Sequence, residues 1–368
     1  MLTLVLSLLM SFALVYAILP SVIRIALNKG LVANPIARSS HEEATPCIGG
    51  VPIFIGIMFT TLLLTPYGQW HQLQFILSAI VIVFLVGIKD DIENLSALYK
   101  MVGILVSITI LITRGEVQLD QMYGLFGWGS ADAFPRWLCF LVSGFTLLVI
   151  TNAFNLIDGI NGLSATVGSI ASLCFGVWFF MVDELYLGVL SMTTAGSLVA
   201  FLRFNVTPAK TFMGDTGALV VGLLLGVMAI KFIDLCATAT IPSKYRFAEP
   251  IAVVVSILII PLFDTIRVFV TRALRGVSPL QPDRRHIHHL LIDSGYSHME
   301  ATTILGIANL LFISLAFSLD GLLGLHALLA LMIGIAMLLT FVLHRNVRLI
   351  KAGHVVSQHE AVELKQPA

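Results

Sequence analysis

Eleven stretches of the chain are apolar with almost no charge inside them: 2–27, 48–65, 73–88, 99–113, 136–152, 163–181, 185–202, 216–233, 249–270, 302–318 and 322–343. Most come close to the ~20 residues that a helix needs to cross a bilayer. None shows the two-residue alternation of an outer-membrane strand. Backbone groups in hydrocarbon must be satisfied within the chain, so these stretches predict helices. The expected fold is all-α integral membrane, a polytopic bundle of about eleven transmembrane helices. The runs 73–88 and 99–113 are short, and partial burial inside the bundle suits them as well as a plain crossing. The first run is long enough to span and lacks the basic leader of a cleaved signal peptide, so it is read as a retained helix. A single transmembrane domain is expected over 1–343, followed by a polar tail over 344–368.

Composition agrees with that pattern. The chain is 58% hydrophobic and only 11% charged, against roughly 25% charged in soluble domains. Its 21 basic and 21 acidic residues balance, so net charge points to no partner, and no nucleic acid is expected. The four cysteines, Cys47, Cys139, Cys174 and Cys236, are scattered and read as packing residues. Placement of the basic residues says more than their sum. Sixteen fall in segments on one side of the predicted spans and five on the other. The positive-inside rule then puts the N-terminus in the periplasm and the C-terminal tail in the cytoplasm.

Four polar clusters interrupt this apolar chain, and the charge-based topology places all of them on the cytoplasmic side. The loops concerned lie near 28–47, 89–100, 152–162, 203–216 and 271–301. The first cluster, Lys89-Asp90-Asp91-Ile92-Glu93-Asn94, runs on to Lys100. Three carboxylates within four residues repel one another and call for a cation, a basic partner or a raised pKa; a solvated acidic loop is the plainer alternative. The second, 152–162, carries Asn152, Asn155, Asp158 and Asn161 at intervals of three. In a helix these share a face and offer oxygen ligands for a hard cation; a capping turn would use fewer of them. The third, Lys210-Thr211-Phe212-Met213-Gly214-Asp215-Thr216-Gly217, opens an apolar run. Asp215 or Thr216 there is either a helix cap or part of a metal or phosphate site. The fourth holds Asp283, Arg284, Arg285, His286, His288 and His289, a dense set of donors for phosphate oxygens. Zinc binding by the histidines, or contact with anionic lipid heads, are the alternatives, and Arg267, Arg272 and Arg275 upstream suit the lipid role better. Carboxylates and amides for a divalent cation, with cationic donors for a diphosphate, suit phosphoryl transfer between a nucleotide and a lipid. A transporter or lipid flippase is the rival class. It predicts polar residues on both faces, whereas the outer loops 66–72 and 319–321 are short and nearly featureless.

With NAFNLIDGINGL at 152–163, FMGDTG at 212–217 and DRRHIHH at 283–289, the sequence resembles the polyprenyl-phosphate N-acetylhexosamine-1-phosphate transferases. The resemblance covers about Leu31 to His289, and its last segment is most similar to members that use UDP-GlcNAc and undecaprenyl phosphate. It implies Asp90, Asp91 and Asp158 as catalytic carboxylates, and Asn155 and Asp215 as ligands of Mg²⁺, with Mn²⁺ as a substitute. It implies substrate contacts by Lys100, Asn161, Arg284, Arg285, His286, His288 and His289, and by Arg38 and His41 in NPIARSSHEEATPCIGG. It also implies a bacterial inner-membrane location among membrane lipids, and a homodimer, since members are often dimers. The products would be GlcNAc-diphospho-undecaprenol and UMP, at the first membrane step of O-antigen or a related surface polysaccharide. Other UDP-N-acetylhexosamines, a 6-deoxy amino sugar or MurNAc-pentapeptide, are the alternative donors. Two departures matter. Many bacterial members carry Asp where this chain has Asn161, and either Glu93 or Asn94 can stand for the last acidic position of the first motif.

Overall fold

Each of the eleven apolar runs carries a helix in the computed structural model, which describes residues 1–33, 45–127, 134–237, 241–276 and 285–363. In chain order the helices are α1 (Leu2–Lys29), α2 (Gly50–Leu64), α3 (Trp70–Glu93), α4 (Ala97–Thr113), α5 (Arg136–Leu156), α6 (Leu163–Met181), α7 (Leu185–Asn205), α8 (Gly214–Ala237), α9 (Pro250–Ile257), α10 (Ile259–Ala273), α11 (Ile287–Asp293), α12 (His298–Leu319) and α13 (Leu325–Glu363). Eight are long and apolar enough to cross a membrane unaided, and the bent pair formed by α9 and α10 can make a ninth crossing. Helices α2 and α4 are apolar but shorter. The run 73–88, expected to be short, belongs to a full-length helix. A two-residue antiparallel ladder, β1 (Val32–Ala33) with β2 (Thr45–Pro46), follows α1.

Burial orders these helices from centre to edge. The apolar window of α8 is 89% buried and that of α7 is 83%, against 28% for α1 and for α13. Helix α8 is therefore the axis, packed by α2, α3, α5 and α6. Its first turn, Gly214-Asp215-Thr216-Gly217, is placed at the centre of one end of the molecule. Any polar side chain that reaches this turn from a neighbouring helix end is drawn to the same spot.

One predicted element is corrected. The run 249–270 reads as a single span, but the chain breaks at Leu258 and α9 and α10 meet at 69°. Pro261 has no N–H for the carbonyl of Ile257 four residues earlier. In an apolar surrounding such a carbonyl needs another donor. The fully buried Asn309 of α12 supplies it, its Nδ2 donating to the carbonyls of Ser256 (3.1 Å) and Ile257 (3.2 Å).

Candidate active site

The site is assembled around Asp215. Helix α3 ends in Asp90 and Asp91, and their carboxylates take different tasks. Asp91 turns to α8: Oδ1 accepts the Asp215 N–H (2.8 Å), and Oδ2 accepts the Thr216 N–H (3.0 Å) and hydroxyl. A side chain 124 residues earlier thus caps the first turn of α8, where unpaired N–H groups favour an anion. Gly214 sits at φ 71°, and a Cβ there would press on the Asp91 carboxylate (2.6 Å to Oδ2). The glycine is needed both for its backbone angle and for that approach.

Asp90 is buried and turns toward Lys100. Its Oδ1 accepts the Leu95 N–H (2.7 Å), and its Oδ2 accepts from Lys100 Nζ (3.1 Å). Lys100, in the first turn of α4, also reaches Asp215 Oδ1 (2.7 Å), which Asn155 Nδ2 meets from the end of α5. Lys100 and Asp215 keep 21% and 31% of their side-chain surface open, so a solute can reach them. The two candidates for the last position of the first motif lie at the end of α3. Glu93 pairs at the surface with Lys89, and Asn94 ends α3 in the left-handed conformation.

Asp158 lies in the turn between α5 and α6, accepting from the Ser164 hydroxyl and the Gly214 N–H. Burial pushes it up to about 6, with Asp215 and Asp91 adding to the rise against the Ser164 hydrogen bond. Asn161 stands apart from the carboxylates. Its Nδ2 donates to Thr207 Oγ1 (2.9 Å), its carbonyl accepts from the Thr302 hydroxyl (2.7 Å), and its buried Oδ1 has no protein partner. The Gly162 N–H beside it is held by Asn205 Oδ1 (2.7 Å).

The histidine segment closes over this turn. A Cβ on Gly159 would collide with His288 Nε2, so His288 packs directly on the Asp158 loop. Burial drives His288 down to about 3, with the charge of His289 adding to the effect; it is a neutral imidazole at any physiological pH. The rings of His288 and His289 lie 4.3 Å apart. His286 is held from behind by Asp264, which accepts from its Nδ1 (3.0 Å), from the Ile287 N–H (3.0 Å) and from Arg267 (2.8 Å). Arg267 in turn grips the carbonyl of Arg285.

Asp90, Asp91, Lys100, Asn155, Asp158 and Asp215 therefore meet, with His286, His288 and His289 beside them. Arg38, His41 and Arg284 lie outside the described residues. Two readings are corrected. Arg267 and Arg272 are not lipid-facing: Arg267 is held by Asp264 and Arg272 is buried. The opposite end of the bundle is not featureless, for a cavity of about 550 Å³ there is lined by Gln72, Glu116, Glu184, Tyr186, Lys231 and Asp234. These residues come from four separated places in the chain, at 72, 116, 184–186 and 231–234, so no single motif announces them. Asp264, Ser164, Thr207 and Thr302 were missed. Asp264 alone left a signal, as a carboxylate inside an apolar run.

The donor set fits a divalent cation. Of the four carboxylates gathered here, Asp90 and Asp215 share the Lys100 ammonium, while Asp91 and Asp158 are held by N–H and hydroxyl donors. Mg²⁺ commonly takes one or two protein oxygens and fills its shell with phosphates and water; the Asp215 carboxylate beside the Asn155 amide offers such a pair. Among the described residues no group of three or more His, Cys, Asp or Glu side chains is placed to hold a metal by itself, so phosphates and water would have to complete the shell.

Comparison with known proteins agrees with this arrangement. The family model described as glycosyl transferase family 4 matches residues 73–233. The chain is 30% identical to the decaprenyl-phosphate N-acetylglucosaminephosphotransferase of Mycolicibacterium smegmatis, over 76% of this chain and 73% of that protein. It is 30% identical to a Bacillus subtilis protein named probable undecaprenyl-phosphate N-acetylglucosaminyl 1-phosphate transferase, over 85% and 84%. It is 26% identical to the undecaprenyl-phosphate alpha-N-acetylglucosaminyl 1-phosphate transferase of Salmonella typhi, over 77% and 75%.

Proposed function

Because the chain belongs to glycosyl transferase family 4, we propose that this membrane-embedded transferase moves N-acetylglucosamine-1-phosphate from UDP-GlcNAc to undecaprenyl phosphate. The products are GlcNAc-diphospho-undecaprenol and UMP, and the step opens the synthesis of O-antigen or a related surface polysaccharide. The observation that carries the reading is the Lys100 ammonium bridging Asp90 and Asp215 beside Asn155. It puts a cation for phosphate oxygens, a carboxylate for the acceptor and a metal-binding pair at one accessible point.

In this reading an oxygen of the lipid phosphate attacks the β-phosphorus of the donor. A new P–O bond forms, the bond to the bridging oxygen breaks, and that oxygen leaves with UMP. Asp90, joined to the partly open Lys100, takes the acceptor's proton or orients its ionised phosphate. Lys100 follows the developing charge on the diphosphate. Mg²⁺, when held by Asp215 and Asn155, supplies charge neutralisation on the phosphate oxygens. Asp91 keeps Asp215 in place through the first turn of α8. The unpartnered Oδ1 of Asn161 is an acceptor for an N–H of the uracil or the acetamido group. The same reading puts the site at the cytoplasmic face of a bacterial inner membrane, with the N-terminus periplasmic.

The test is release of UMP by purified protein given undecaprenyl phosphate, Mg²⁺ and UDP-GlcNAc. Release should need all three and fall by ~10²–10⁴-fold in Asp90→Asn, the usual range for losing an acid–base group. Asp215→Ala should lose metal-dependent turnover altogether. Turnover with another UDP-N-acetylhexosamine but not with UDP-GlcNAc would keep the reaction and change the donor. No UMP from any donor, with folded protein, would overturn the proposal.

A further inference from the structure

Asp264 lies inside the apolar helix α10 and is 1% exposed. A charge in such a place is costly unless it is paired and hydrogen-bonded, and its two oxygens are spent differently. Oδ1 accepts from the Ile287 N–H (3.0 Å) and from Arg267 (2.8 Å), which fastens the start of α11 to α10. Oδ2 accepts from Nδ1 of His286 (3.0 Å). An anchor for the returning chain needs only Oδ1. The second bond fixes a side chain, and with it a tautomer. The Arg267 guanidinium makes the group a carboxylate ion, and a carboxylate has no hydrogen to give. The hydrogen between Oδ2 and the ring therefore sits on Nδ1, and in the neutral ring Nε2 keeps its lone pair.

The surroundings hold the ring in that orientation. Its plane lies 9° from that of His288, with centroids 5.6 Å apart, and His288 is itself packed on Gly159. Arg267 also holds the carbonyl of Arg285, the residue before His286. A rotation that exchanged the ring nitrogens would break the bond to Asp264 and disturb the stack. His288 gives the contrast. It is just as buried, but its Nδ1 has no protein partner among the described residues, so no carboxylate sets its tautomer.

We propose that Asp264 is a positioning residue for the transfer described above: it keeps the hydrogen of His286 on Nδ1, so that Nε2 is an acceptor for a hydroxyl or N–H of the nucleotide sugar. What His286 meets follows from that reaction, and the tautomer follows from the Asp264 contact. Asp264 acts through the ring and touches no substrate.

The test separates the two. Asp264→Asn keeps the size of the side chain. With its Oδ1 on Arg267 and the Ile287 N–H, its amide N–H faces the ring and must donate to Nδ1, which moves the ring hydrogen to Nε2. The same substitution in a serine protease triad acts through the wrong tautomer. In protein carrying isotope-labelled histidine, the ring nitrogen resonances of His286, assigned by their loss in His286→Gln, report which nitrogen bears hydrogen at about pH 8. Nδ1 should bear it in the parent and Nε2 in Asp264→Asn. UMP release by Asp264→Asn should fall ~10–100-fold, as for losing the partner behind a metal-bound histidine. Asp264→Asn combined with His286→Gln should lose no more than His286→Gln alone, whereas a structural role would add its own loss. An unchanged tautomer in Asp264→Asn, or an added loss in the double variant, would overturn the proposal. So would a His286→Gln variant as active as the parent. Hydrogen on Nε2 alone in the parent would overturn it without any variant. No UMP from any donor, with the tautomers as stated, would overturn the reaction and leave the pairing of Asp264 with His286 standing.

Discussion

Asp91 and its neighbour Asp90 look alike in the sequence, and their environments separate them. Asp90 accepts from the Leu95 N–H and from the partly open Lys100, whereas both oxygens of Asp91 are engaged by the first turn of α8. Removing Asp91 strips that turn of its cap, which costs ~0.5–2 kcal/mol, and frees Asp215 to move. Asp91→Ala is therefore expected to lower the melting temperature of the detergent-purified protein by several degrees as well as its turnover. Asp90→Asn, which keeps an acceptor for the Leu95 N–H, should lower melting less than Asp91→Ala does. Equal melting of Asp91→Ala and the parent would dismiss the capping role. Asp158 makes a pH prediction. Its folded-state pKa of about 6 lies above the ordinary 3.8, so the fold prefers the neutral acid. Below pH 4 the group is protonated in both states and costs nothing. Between pH 4 and 6 the unfolded chain ionises first, and stability falls by up to ~3 kcal/mol at ~1.4 kcal/mol per pH unit. Above 6 the loss stays constant. Asp158→Asn, which keeps an acceptor for Ser164, should melt higher than the parent at pH 7, with the gap closing toward pH 4. A gap independent of pH would contradict the burial argument. The carboxylates were legible because an apolar chain spends few of them. Their division of labour was not, since the Asp91 to α8 contact spans 124 positions and depends on how two helices pack.

At the scale of elements, hydrophobic runs located the helices because bilayer thickness sets a length that the sequence must meet. They did not reveal the break in 249–270, where Pro261 was visible but its consequence was not. A proline can end a helix, bend it or be absorbed, and the outcome here rests on Asn309 from another element. Asn309→Leu would leave the carbonyl of Ile257 without the Asn309 donor in an apolar interior, costing ~1–3 kcal/mol, while Ser256 keeps a backbone N–H. The expected result is a drop in melting temperature larger than that of a surface change such as Asn346→Leu. Because α10 carries Asp264, which holds His286 and the start of α11, turnover should fall with it. If Asn309→Leu melts and turns over like the parent, the amide is not what stabilises the bend. Asp264 shows the same limit of the sequence. Inside a hydrophobic run it was a signal without a partner, and only the return of the chain at Arg285 and His286 supplies one.

For the whole molecule, the arrangement of ends matters most. The turns after α3, α5, α7 and α10 come together on Asp215 and the histidine segment, whereas Lys231 and Glu184 mark the other end. The proposed orientation, with the Asp215 end in the cytoplasm, rests on the excess of lysine and arginine at that end. The polar cavity at the opposite end removes the plainness of the outer loops as an argument against a transporter, but leaves the excess of lysine and arginine untouched. Orientation can be measured directly on the exposed Lys210 at the site end and the exposed Lys244 at the far end. With Cys47, Cys139, Cys174 and Cys236 replaced by alanine or serine, Lys210→Cys and Lys244→Cys are treated with a membrane-impermeant maleimide on spheroplasts. Lys244→Cys should label in intact spheroplasts, and Lys210→Cys only after the membrane is opened. The reverse pattern would put the Asp215 cluster on the outer face, where a cytoplasmic UDP-sugar cannot reach it, and the proposed reaction would fail with it. Labelling at Lys244 alone ties the basic loops, the carboxylate cluster and the nucleotide pool to one compartment.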